Sequence, residues 1–198
     1  MAQAYAALWC KTNYSFLQAA SHPEELVQRA QHLGLPALAV TDLDGVHGVV
    51  RAYAQAKASN YKLLMGSQVS VDTGHSLVLL ATSRHGYAQL CRLLTLGRLR
   101  CAKGSSQVGW SDVCAHSAAL LALWDGACPE QAELLRAAFG DRLYGLVARH
   151  YNAHERGREL RLRELAQRLA MPLVAANEVL YHDSNRQPLH DVLPDTVR

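Results

Sequence analysis

A chain of 198 residues, 49% hydrophobic and 19% charged, is long enough for one domain with a sizeable core. A net charge of +3 and a pI near 8.6 permit contact with nucleic acid without demanding it. The start, Met1 to Tyr5, lacks the basic and apolar segments of a signal peptide, and no apolar run approaches the ~20 residues of a membrane span, so a cytoplasmic protein with no membrane partner is expected.

The pattern alternates along the chain. A strand is predicted over residues 4–10 and a helix over 22–33, with Ser21 as N-cap, Glu24 completing a capping box, and Gly34 as the stop. Residues 36–41 form a short apolar run that predicts a strand, and 46–58 a helix. Strands are predicted over 61–71 and 76–81, then a helix over 85–98 carrying Leu90, Leu93, Leu94 and Leu96. Residues 99–110 read as the longest loop. A buried strand at 118–124, a helix at 129–139 and a strand at 142–148 follow. The helix predicted over 153–170 puts Leu162, Leu165, Ala166 and Leu169 on one face. A strand at 171–176 and a helix at 184–193 end the series.

This alternation predicts an α/β fold with a mainly parallel sheet and helices outside it. About seven β/α units suit a barrel, whose chemistry would sit at the C-terminal ends of the strands. Five cysteines, Cys10, Cys91, Cys101, Cys114 and Cys128, contain no C-x-x-C pair and match no zinc ribbon, so reduced and partly buried thiols are expected. Arg156, Arg158, Arg161 and Arg163 lie among Glu155, Glu159 and Glu164, the composition of a solvated helix face. Arg92, Arg98, Arg100 and Lys103 have less acidic dilution and are candidates for binding a phosphate backbone or an acidic partner.

Five segments carry a more specific reading. They are residues 9–17, the helix start 20–26, the run 37–48 with Thr41 and Asp42, the stretch 79–94, and residues 172–193 with Asn177, Glu178 and His182. In this order and spacing they resemble the PHP (polymerase and histidinol phosphatase) domain, above all that of bacterial C-family DNA polymerases in the error-prone, damage-inducible branch. The resemblance runs from about residue 4 to 193. It implies a PHP-type distorted (β/α)7 barrel, and a single domain over 1–198 that is the excised N-terminal part of a longer polymerase. The parent would serve translesion synthesis and DNA repair.

A PHP phosphoesterase gathers histidines and carboxylates around up to three divalent metals, which polarise phosphate and generate hydroxide. Position by position, the resemblance implies that most of those ligands are gone. The first His-x-His pair falls on Trp9 and Lys11. The histidine of Thr-Asp-His falls on Leu43, the glutamate after the third strand on Gln68, and the next histidine on Ser76, one residue from His75. The ligand near residues 142–148 falls among Val147, Ala148 and Arg149, just before His150, and the last histidine falls on Leu180. Asp42 and Glu178 survive, with Asp44 and His47 nearby and His182 in a polar loop.

The expectation is a catalytically inactive domain with no metal and no cofactor of its own, holding a structural and interaction role. Magnesium is implied only for the parent polymerase, whose palm is absent here. The partners implied are the remaining polymerase chain, proteins of the replication or lesion-bypass machinery, and DNA through the parent. A second reading rebuilds an active phosphoesterase or 3′–5′ exonuclease from Asp42, Asp44, His47 and Glu178. A third is a free-standing binding module derived from the polymerase domain. Against the second, Asp42 and Asp44 suit a turn or helix cap. Lys11 is expected to replace one lost metal charge by pairing with Asp42 or Glu178. Trp9, Tyr14, Phe16 and Trp110 read as core aromatics rather than base-stacking groups.

Overall fold

The computed structural model describes residues 5–71, 74–150 and 155–193. Its elements run β1 (Trp9–Cys10), α1 (Pro23–His32), β2 (Leu38–Val40), α2 (Val49–Ala58), β3 (Leu63–Ser70), β4 (Ser76–Ala81) and α3 (Arg84–Leu99). They continue with α4 (Trp110–Ala115), β5 (Leu120–Trp124), α5 (Ala132–Phe139), β6 (Leu143–Val147), α6 (Glu155–Arg168), β7 (Leu173–Ala175), β8 (Glu178–Val179) and α7 (Gln187–Val192). The chain divides into two compact units, one of residues 1–67 with 177–198 and one of 68–176.

In the first unit, β1 pairs in parallel with β8, placing Trp9 opposite Glu178 and Cys10 opposite Val179. β2 pairs in parallel with β3. The Ala39 N–H donates to the Ala7 carbonyl and the Thr41 N–H to that of Cys10, both at 2.8 Å, so β1 and β2 lie side by side. β2 is an unbroken apolar run with every residue buried, the mark of a strand covered on both faces. Helix α1 buries Pro23, Leu26, Val27 and Ala30, and α2 buries Val49, Ala52 and Ala56, residues three, four and seven apart that make one apolar stripe on each helix.

The predicted cap of α1 lies one residue away. His22 is the N-cap, and its N–H donates to Glu25 Oε2 at 2.8 Å. Ser21 is taken by His182, whose N–H donates to Ser21 Oγ at 2.8 Å and whose Nδ1 lies 2.7 Å from the same oxygen. A contact from the far end of the chain therefore displaces the local cap.

The second unit orders its strands β4-β5-β6-β7. β5–β6 and β6–β7 are parallel, with α5 and α6 as the crossovers that parallel pairing requires. β4 and β5 are antiparallel, Val78 facing Leu123. The core is built by Leu77, Leu79, Leu90, Leu93, Trp124, Leu135, Phe139 and Leu143. The fold class is α/β with mainly parallel pairings and flanking helices, as the alternation predicts. Two elements escape the sequence reading. α4 begins at Trp110, where a loop was expected to end, and β8 is two residues long. Residue 4 of the first predicted strand and residues 153–154 of the long helix lie outside the described residues.

Candidate functional site

Three short segments of the first unit meet at the ends of β1, β2 and β8. The Lys11 N–H donates to the Val179 carbonyl at 2.9 Å, extending the β1–β8 pairing by one residue. That register carries the Lys11 side chain to Glu178, with Nζ 2.5 Å from Oε1. Nζ also donates to Gln18 Oε1 at 3.0 Å. Lys11 is only 6% exposed, so its ammonium is satisfied by protein rather than by water. Of the two carboxylates predicted to pair with Lys11, Glu178 is the one that does.

Asp42 is fully buried just beyond β2. Its Oδ1 accepts from the Thr12 N–H at 2.7 Å, Thr12 Oγ1 at 2.9 Å and Ser15 Oγ at 2.8 Å. Its Oδ2 accepts from Thr12 Oγ1 at 2.9 Å and the Gly48 N–H at 3.2 Å. Donors from both the β1 loop and the start of α2 thus take the place of bulk water around this charge. Gly48 is needed for the approach: an added Cβ would stand 2.6 Å from both Asp42 Oδ2 and Thr12 Oγ1. Ser15 Oγ also accepts from the Leu43 N–H at 3.0 Å, and the loop turns at Leu17, whose φ is 61°. Ser67 at β3 pins the other side, donating to the Asp42 carbonyl at 2.8 Å and accepting from the Gly45 N–H at 3.1 Å.

The remaining candidates scatter. Asp44 is buried at a turn with φ 48°, and His47 is exposed. Trp9, Leu43 and Leu180 are half-buried. In the second unit Gln68 Nε2 donates to Ser76 Oγ at 3.0 Å, while His75 and His150 are exposed. Among the described residues, no three His, Cys, Asp or Glu side chains gather closely enough to hold a metal ion. Burial pushes the Cys10 thiol up, so it stays a neutral SH. Sequence reasoning missed Thr12, Ser15, Gln18 and Gly48. The run from Lys11 to Phe16 was part of the resemblance, yet nothing in it marks small hydroxyls as the ligands of a buried carboxylate.

Of the basic candidates, Arg100 is committed to Asp112, donating from Nη2 to Oδ1 at 3.1 Å, and that hydrogen bond holds the Asp112 carboxyl below its usual range. Arg98 is half-buried and makes a further contact, while Arg92 and Lys103 are exposed. The aromatics divide: Trp110 is buried and Trp9 half-buried, but Tyr14 is 40% and Phe16 81% exposed, so the core reading fails for these two. Their loop is held by polar bonds to Asp42 rather than by aromatic packing.

The PHP domain family matches residues 8–174. An error-prone DNA polymerase from Anaeromyxobacter sp. (strain K) is 42% identical over 205 residues, covering 96% of this chain and 18% of that protein. Relatives of the same name from Rhodopirellula baltica and Pseudomonas aeruginosa are 34% and 40% identical, again over 96% of this chain and 18–19% of their own length. The chain thus spans about a fifth of the relatives it matches. Among solved structures, a Bifidobacterium adolescentis protein described as a metal-dependent phosphoesterase aligns with TM-score 0.58 and 19% identity, covering 90% of this chain and 87% of that one. An amidohydrolase from Chromobacterium violaceum aligns with TM-score 0.60 and 16% identity, over 89% and 87%. These two likenesses show a shared fold. With the family match running through most of the sequence and the fold agreeing, the chain belongs to the PHP domain family.

Proposed function

We propose that this chain is the PHP domain of an error-prone DNA polymerase and that the domain is itself not catalytic. The relatives named error-prone DNA polymerase support the first half. The buried Lys11–Glu178 pair carries the second. The residues present do not fit the family's metal cluster. An ammonium stands at the first ligand pair, Asp42 already accepts from Thr12, Ser15 and Gly48, and Trp9, Leu43 and Leu180 offer no ligand atom. A divalent cation ~4 Å from a lysine would meet repulsion on the order of 8 kcal/mol at an effective dielectric of 20.

The role left to the domain is structural, joined to the remaining polymerase chain. Phe16 and Val50, 81% and 73% exposed, offer apolar surface for such packing. Nucleotidyl transfer, its magnesium ions and lesion bypass would belong to the parent, in the cytoplasm, with replication or bypass proteins as partners.

The test is metal content of the purified chain after incubation with manganese and zinc, alongside phosphatase and 3′-exonuclease assays. No stoichiometric metal and no turnover is the expected result. Two or three bound metals, with hydrolysis abolished by Asp42→Ala or Glu178→Ala, would establish instead an active phosphoesterase or exonuclease with a rebuilt site.

A further inference from the structure

From Thr73 to Ser111 the sequence contains no Asp or Glu, yet it holds Arg84, Arg92, Arg98, Arg100 and Lys103. The second unit as a whole has thirteen Lys and Arg against nine Asp and Glu, while the first has seven against eight. The positive balance therefore belongs to residues 68–176, and its acid-free part is centred on α3. Arg100 is neutralised by Asp112. Arg84, Arg92 and Lys103 are exposed and make no hydrogen bond or ion pair among the described residues.

Helical geometry sets these groups in a line. His85, Arg92 and Leu99 recur every seven residues on the exposed face of α3, with Arg84 at its start and Lys103 just past its end. A rise of 1.5 Å per residue separates His85 from Arg92 by ~10 Å and spreads the stripe over ~20 Å. Beyond it, the exposed Ser105 and Gln107 add hydrogen-bond donors.

We propose that the outward face of α3 and the loop after it bind the phosphate backbone of nucleic acid, without reading its sequence. A phosphate backbone carries a charge every few ångströms, so it meets unevenly spaced cations in any register. An acidic protein would need an apolar centre to desolvate, and this stripe offers one large apolar side chain, Leu99. The inference does not depend on whether the Lys11–Glu178 region is catalytic.

The experiment is fluorescence anisotropy of the whole 198-residue chain with an oligothymidylate and with a duplex, across a salt series, with melting curves as the check on folding. The variant Arg84→Gln, Arg92→Gln, Lys103→Gln is expected to lose about tenfold or more in affinity at low salt. It should also flatten the single-strand salt slope by about 2, three contacts at ~0.7 each. The comparison variant Arg156→Gln, Arg161→Gln, Arg168→Gln removes three exposed cations of α6 and is expected to leave most of the binding. Unchanged affinity in the α3 variant, or an equal loss in both variants, overturns the proposal. Saturable binding of polyglutamate with none to either oligonucleotide also overturns it, in favour of an acidic protein partner.

Discussion

A buried ammonium is tolerated only beside a carboxylate, and Lys11 has Glu178 at 2.5 Å and Gln18 at 3.0 Å. Removing one member of such a pair strands the other charge. Lys11→Ala is therefore expected to lower the unfolding free energy by about 3 kcal/mol, read from urea denaturation, whereas Lys11→Met with Glu178→Leu should restore most of that loss. A Lys11→Ala protein of unchanged stability would mean that Glu178 is water-solvated and that the pair contributes nothing. Gly48→Ala should cost about 2 kcal/mol, because its methyl would push into Asp42 and Thr12. A calorimetric scan with no fall in melting temperature would contradict that. A counter-charge for Lys11, either Asp42 or Glu178, was legible in the sequence because a lysine among expected ligands calls for one; the choice of Glu178 comes from the β1–β8 register. The Thr12 and Ser15 contacts were not legible. Hydroxyl side chains serve almost any loop, and their aim at Asp42 appears only once the chain curls through Leu17.

At the start of α1, Glu25 accepts from the His22 N–H at 2.8 Å and from the Arg186 guanidinium ahead of α7. Burial alone would raise its carboxyl, but the His22 bond and the Arg186 charge outweigh that and hold it below its ordinary 4.5. In α4, the Arg100 hydrogen bond does the same for Asp112. A carboxyl depressed in the folded state adds stability above its unfolded pKa, and that contribution is lost as pH falls through the folded value. Stability should hold from neutral pH to about 5 and then drop below about 4.5. Glu25→Gln together with Asp112→Asn should flatten the acid side of that profile while lowering stability at pH 7. An acid limb identical to the parent's would show that other carboxyls govern it. Element types were largely readable because α1, α2, α3 and α6 carry their apolar stripes in the sequence. The exceptions are elements set by distant contacts or too short for periodicity. The α1 cap moves because Ser21 is claimed by His182, α4 has six residues, and β8 has two that are fixed only by pairing with β1.

On the scale of the molecule, the first unit closes by bringing residues 9–18 and 41–48 against 178–180, segments separated by most of the chain. In a metal-bound family member, shared ions would link such strand ends. Here an ion pair and a carboxylate ringed by donors make the links, so folding should need no metal. A melting curve tests this without any enzymatic assay. A metal held only by the folded state at a hundred times its dissociation constant adds ~2.7 kcal/mol, and for a chain of this size each kcal/mol moves the midpoint by ~2–4 °C. Saturating manganese or zinc would then raise the melting temperature by roughly 5–10 °C, and a chelator would reverse it. The expected shift is under ~1 °C in either direction. The control is a quadruple variant with Trp9→His, Lys11→His, Leu43→His and Leu180→His, which puts imidazoles back at the strand ends. If that variant gains a metal-dependent shift and the natural chain does not, the frame is intact and the side chains alone have withdrawn it from metal chemistry. A chelator-sensitive shift in the natural chain would mean instead that its carboxylates exchange their present donors for ions, and the structural reading of Lys11 would fall with it.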